Sequence, residues 1–227
     1  MKRIGILGGM GPLATADLFL KIIELTDAKK DQDNIPIIID NFPQIPDRTA
    51  FILEGKEDPF PFMKEAALRL KNAGCEVICI SCNTAHYFAS RLEKECSVKI
   101  LHIAKISVAA IKQKFPSAKK IAVIATTGTI SAKIYENELT AVGLECVEIS
   151  QNLLDDIMKC IYSGAKANCL SEYVGLFNKT LEKIKADVYI AACTEIPLFL
   201  PFTDKKDCFI DATLELANAA VKFGLDK

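Results

Sequence analysis

Two cysteines stand out among the nine in this chain because of the residues just after them. Cys82 heads the string Cys82-Asn83-Thr84-Ala85-His86, and Cys193 heads Cys193-Thr194-Glu195. Each closes a short apolar run, Val77–Ile80 in one case and Val188–Ala192 in the other. A thiol is weakly acidic, with a free pKa of about 8.5, so it can give up a proton as a thiol or take one as a thiolate. Two such groups on opposite sides of a carbon could remove a proton from one face and return it to the other. Asn83, Thr84 and Thr194 add small polar side chains suited to a helix cap or a ligand carboxylate.

These residues need elements to hold them. Apolar strand-like runs are predicted at Arg3–Gly8, Pro36–Asp40, Glu76–Ile80, Lys99–Leu101, Lys120–Ala125, Leu144–Ile149, Asp187–Ala192 and Cys208–Ile210. Helical patterns lie between them, at Pro12–Ala28, Pro59–Ala73, Thr84–Glu95, Ala104–Phe115, Ile130–Val142, Asn152–Ser163, Lys166–Lys185 and Ala212–Phe223. The alternation predicts an α/β protein of parallel sheets flanked by helices. The pattern also repeats. Arg3 to Gly11 resembles Lys120 to Gly128, and Val77 to Thr84 resembles Val188 to Thr194. Two pseudo-symmetric lobes are therefore expected, residues 1–97 and 98–210, with 211–227 packing back on the first. The site belongs in the cleft between them, because open α/β sheets bind ligands at the carboxyl ends of their strands. There each thiol would also sit beside a helix N-terminus, which favours thiolate. The segment from Asn41 to Pro59 is a long loop, of the kind that is functional in a compact domain.

Composition narrows the class. The 227 residues are 50% hydrophobic and 25% charged, with a formal net charge of −1. That is a globular balance, with no basic face for nucleic acid. The apolar run after Met1-Lys2-Arg3 is too short for a signal core, and nothing approaches the roughly 18 residues of a membrane span. A cytoplasmic location is expected, where cysteines are reduced. The spacing of Cys75, Cys79 and Cys82 imitates an iron–sulfur motif. A strand over 76–80 would part Cys75 from Cys79 by roughly 13 Å, too far for one cluster. Gly9-Met10-Gly11-Pro12-Leu13-Ala14 fits a dinucleotide-loop pattern, but the acidic partner about 20 residues on is missing. A tight turn into a helix opened by Pro12 fits equally well.

Taken together, Gly8-Gly9-Met10-Gly11-Pro12, Ser81-Cys82-Asn83-Thr84-Ala85-His86 and Ala192-Cys193-Thr194-Glu195-Ile196-Pro197-Leu198 resemble the aspartate/glutamate racemase superfamily, most closely the aspartate racemases. The resemblance spans essentially the whole chain. It implies racemisation of an acidic amino acid without pyridoxal phosphate or any other cofactor or metal, and a homodimer. It makes Cys82 and Cys193 the acid–base pair, assisted by Asp47 and Glu195. It gives Arg48 and Lys166 the substrate's side-chain carboxylate, a bidentate task that suits arginine. Lys166 is read as opening a helix, an unfavourable place for a cation unless a ligand faces it. Met10, Thr126 and Thr127 end the first strands of the two halves. The threonines are candidates for the α-carboxylate or ordinary turn residues. His86 and His102 fit packing roles. Aspartate is the expected substrate. The alternatives are glutamate, a broader aspartate/glutamate specificity, or a non-catalytic module that binds an amino acid or nucleotide.

Overall fold

A computed structural model describes residues 1–226, so Lys227, the end of the expected 211–227 segment, lies outside it. Two four-stranded sheets form the frame. The first contains β1 (Ile4–Gly8), β2 (Ile37–Asn41), β3 (Val77–Ile80) and β4 (Ile100–Leu101), in the order β2-β1-β3-β4. The second contains β5 (Lys120–Ile124), β6 (Glu145–Cys146), β7 (Val188–Ala191) and β8 (Phe209–Asp211), in the order β6-β5-β7-β8. Every pairing is parallel, and the two orders are the same once the second set is renumbered. The repeat in the sequence is thus a repeat of topology. Strand β4 pairs with β3, so the chain leaves the first sheet after Leu101 rather than near Val98.

The central strands are buried on both faces, as parallel strands must be when helices cover them. Their side chains alternate between two cores. Ile4, Ile6, Val77 and Cys79 of the first sheet join Ile121, Val123, Val188 and Ile190 of the second in one continuous cluster. Helices α1 (Pro12–Leu25), α5 (Ile103–Lys114), α7 (Ile134–Ala141) and α10 (Ala212–Gly224) fill that shared layer. The opposite faces have cores of their own. Leu7, Ile78 and Ile80 pack under α3 (Phe60–Asn72) and α4 (Ala89–Cys96). Ala122, Ile124, Tyr189 and Ala191 pack under α8 (Gln151–Lys159) and α9 (Leu170–Lys183). Helix α10 packs on α1 and α5, and the backbone N–H of Lys2 donates to the Gly224 carbonyl at 2.9 Å. No helix of the described residues is long and apolar enough to cross a membrane.

Several elements depart from the sequence expectation. The long loop contains a helix, α2 (Arg48–Glu54), capped by Asp47 and ended by Gly55 at φ 67°. The stretch expected as one helix over 130–142 is two, α6 (Thr127–Ser131) and α7, parted at Lys133 with φ 52°. Beyond α8 the chain runs on as a π-helical turn, Cys160–Lys166. Lys166 therefore ends a helical segment and does not open one. A cation there is favoured by the dipole, so the expected dipole conflict does not exist.

Candidate active site

The chemistry-bearing residues converge where equivalent strands of the two sheets end. Cys82-Asn83-Thr84 comes after β3, and Cys193-Thr194-Glu195 after β7. Met10 comes after β1 and Thr126 after β5. Together with Asp47 and Arg48 of the α2 entry and Lys166 of the π-turn, they line one cleft of about 70 Å³. That space suits a small amino acid and is far below the 300–1,000 Å³ or so of sites for larger ligands. Both thiols are buried, Cys82 8% and Cys193 7% exposed, yet both border this space.

Each cysteine leads into a 3₁₀ turn, Thr84–Phe88 or Ile196–Phe202, and not directly into an α-helix. Such short turns have little aligned dipole, so the expected thiolate stabilisation by a helix N-terminus is weak. The surroundings of Cys193 act the other way. Burial pushes this thiol well above its ordinary range, and the adjacent Glu195 charge adds to the effect. Its S–H donates to Glu195 Oε2 at 2.9 Å, and the Thr194 hydroxyl donates to the same oxygen at 2.9 Å. Lys166 Nζ sits 3.3 Å from the other carboxylate oxygen. Burial works against the ammonium, but Glu195 and the Cys193 and Tyr162 groups outweigh it and hold Lys166 above its usual range. The result is a Cys193–Glu195–Lys166 chain of polar contacts, with burial and the Glu195 charge favouring the protonated thiol.

Arg48 is anchored more tightly than a loop arginine would be. Nη1 donates to the carbonyls of Ile45 and Pro46 at 3.2 and 2.9 Å, and Nη2 donates to that of Met10 at 3.3 Å. Among the described residues its Nε is buried without a partner. Asn83 shows the same pattern. Its Oδ1 accepts from the Tyr135 hydroxyl at 2.5 Å, and its Nδ2 is buried with no partner among the described residues. A buried donor without an acceptor costs about 1–3 kcal/mol. Two such donors on residues of one cleft call for a ligand with acceptors, and a carboxylate supplies them. The two lobes also meet here through hydroxyls. Thr84 Oγ1 lies 3.1 Å from Thr126 Oγ1 and 2.8 Å from Thr129 Oγ1.

Eleven of the twelve sequence candidates border the cleft. The exception is Thr127. Its N–H and hydroxyl face Met158 Sδ at 3.5 and 3.9 Å, and it lines a neighbouring cavity of about 610 Å³. It is the first residue of α6, so its side chain turns away from the strand end where Thr126 sits. Asp47 borders the cleft, but its Oδ1 accepts from the Ala50 N–H at 2.7 Å as the α2 cap. Among the described residues it makes no hydrogen bond to Cys82. Three lining residues escaped sequence reasoning: Thr49, Tyr162 and Ala192. Thr49 and Ala192 adjoin Arg48 and Cys193, and Tyr162 stands four residues before Lys166, with the Lys166 ammonium 5.3 Å from its ring centroid. That spacing on a helical face was the available signal. His86 is buried with Nδ1 2.9 Å from the Cys82 carbonyl. Burial pushes its pKa down to about 3, so it is a neutral packing group, set against the His102 ring at 5.1 Å.

Known proteins share this chain's family and fold along most of its length. The family model for Asp/Glu/Hydantoin racemase matches residues 7–220. The Bacillus subtilis broad specificity amino-acid racemase RacX is 29% identical over 96% of each chain. The structure of Picrophilus torridus aspartate racemase superposes with a TM-score of 0.83 at 28% identity, covering 99% of this chain and 94% of that one. The Bacillus anthracis glutamate racemase RacE1 has the same fold, with a TM-score of 0.70 at 20% identity over 99% of this chain and 82% of its own.

Proposed function

The chain belongs to the Asp/Glu/Hydantoin racemase family, and from that premise we propose that it racemises an acidic amino acid, aspartate foremost, through the paired thiols of Cys82 and Cys193. The observation that carries this reading is the cleft itself: two buried thiols from equivalent strand ends, beside two buried donors that lack acceptors. In one direction Cys82, as thiolate, takes the α-hydrogen as a proton, and the electron pair of the broken C–H bond passes into the α-carboxylate. The Cys193 S–H then delivers its proton to the opposite face. Cys82 is left as thiol and Cys193 as thiolate. Glu195 accepts from the Cys193 S–H, a contact that supports its role in shuttling the proton that resets the pair. The reverse reaction exchanges the two roles. No cofactor enters these steps. Arg48 Nε and Asn83 Nδ2 serve the substrate's carboxylates, each charge-assisted bond contributing roughly 1.5–3 kcal/mol. Lys166, which lies 3.3 Å from the Glu195 carboxylate, supplies the second cation for the substrate's side-chain carboxylate. The reading includes a homodimer.

A wider substrate range is a second reading. Tyr162 is a wall shared by the cleft and the 610 Å³ cavity beside it, whose lining includes Leu53, Leu154 and Met158. A side chain longer than aspartate's would reach that cavity past the ring, and the relative named for broad specificity supports the idea. Chiral chromatography after incubation with single enantiomers of aspartate, glutamate and longer amino acids, without added pyridoxal phosphate or metal, tests both readings. Aspartate is expected to racemise fastest. A preference for a long apolar or basic amino acid would favour the second reading, and no racemisation of any of them would sink both.

A further inference from the structure

Asn83 owes its orientation to a residue of the other lobe. Its amide has two edges with opposite hydrogen-bonding sense, and rotation by half a turn would exchange them. Presented one way, Nδ2 would meet a substrate carboxylate with hydrogens. Presented the other way, Oδ1 would repel it. The two orientations are nearly equal in shape, so something must select between them.

Tyr135 is the selecting contact. It lies on α7 of the second lobe and is 1% exposed, among the largest fully buried side chains of the protein. Its hydroxyl reaches across to Asn83 Oδ1 at 2.5 Å. Ser107, the other hydroxyl beside the phenol, directs its own hydrogen to the Ile103 carbonyl at 2.8 Å. Burial above all keeps the phenol protonated, and the Asp211 carboxylate acts in the same sense. Near neutral pH it is therefore a protonated hydroxyl, able to donate. With Oδ1 engaged, Nδ2 is left as the free edge, and it is the buried atom without a partner.

We propose that Tyr135 is a positioning residue for the racemase reaction, holding the Asn83 amide across the lobe boundary so that Nδ2 faces the substrate carboxylate. The inference rests on the reading of Asn83 as a substrate-binding residue. It also gives the lobe interface a role in catalysis, because a shift of α7 would release the amide.

A double-mutant cycle on the full-length protein tests it. Tyr135→Phe, Asn83→Ala and the double variant are assayed for kcat and KM with L-aspartate, or with whichever amino acid the enzyme racemises fastest, and each is checked by thermal melting. Tyr135→Phe is expected to raise KM roughly five- to tenfold, the effect of one hydrogen bond, with a smaller change in kcat. In the Asn83→Ala background the same change should have almost no further effect on KM, because the group it orients is gone. A purely structural role would lower the melting temperature and reduce kinetics by the same factor in both backgrounds. That additive result would overturn the inference while leaving Asn83 in the site. An Asn83→Ala variant with unchanged KM would overturn both the inference and the reading beneath it.

Discussion

At the scale of single residues, Cys193 is the group whose surroundings demand most explanation. Burial and the Glu195 charge both raise its pKa. A thiol raised in this way is an acid at neutral pH and becomes a base only as pH climbs. Glu195→Gln removes the charge but keeps a hydrogen-bonding side chain. The thiol pKa should then fall towards the ordinary range, because the negative neighbour that penalised the thiolate is gone. Alkylation of Cys193, with peptide mass spectrometry across a pH series, should begin at lower pH in the variant than in the native protein. Racemisation should nevertheless drop roughly a hundredfold, the usual scale for losing a general base. An alkylation profile that stays put or moves upward would show that Glu195 does not govern the thiol. Cys82 and Cys193 stood out in the sequence by type and neighbours, and Arg48 and Glu195 entered only through the family resemblance; all four border one cleft. The Asn83–Tyr135 pair was not legible in the sequence, because its partners are 52 residues apart and meet only through the fold.

At the scale of elements, α2 decides whether Arg48 is in place. Its seven residues are too few for a helical period to register in the sequence, and prolines precede them. The signals were there in Asp47, a good N-cap, and in Gly55, free to take a positive φ. Helix α2 is pressed against α6 of the other lobe at one point. A Cβ on Gly128 would lie 2.6 Å from Thr49 Oγ1 and 2.9 Å from Thr49 Cα. Backbone lies on the far side of that contact, so Gly128→Ala must push α2 away. Overpacking of this kind costs about 1–3 kcal/mol, and a shift near 1 Å at a binding group can cost about a hundredfold in rate. We expect the variant to melt a few degrees lower and to lose at least tenfold in kcat/KM. Native kinetics in Gly128→Ala would mean that the α2–α6 contact does not position Arg48. The Lys133 break between α6 and α7 left no such mark, because a lysine at φ 52° carries no signature in its type.

At the scale of the whole molecule, the two-lobe plan was readable because buried parallel strands are written as continuous apolar runs, and the same run-and-cysteine pattern occurs twice. Their relative placement was not readable. It is set by the shared layer of α1, α5, α7 and α10, whose contacts link residues more than a hundred positions apart, such as the buried Glu215 carboxylate with Lys114 Nζ at 2.5 Å. That layer leaves the ends of β3 and β7 bordering one cleft, and the proposed mechanism has Cys82 and Cys193 act on opposite faces of one carbon. Proton NMR in deuterated water, with pure L- or D-aspartate, is the decisive test. The native enzyme should place solvent deuterium on the α-carbon of the inverted product. Cys82→Ala and Cys193→Ala should each abolish net racemisation, and each should exchange the α-hydrogen of only one enantiomer, opposite between the two variants. Racemisation at a near-native rate in either variant, or exchange of the same enantiomer by both, would rule out the opposed-thiol mechanism.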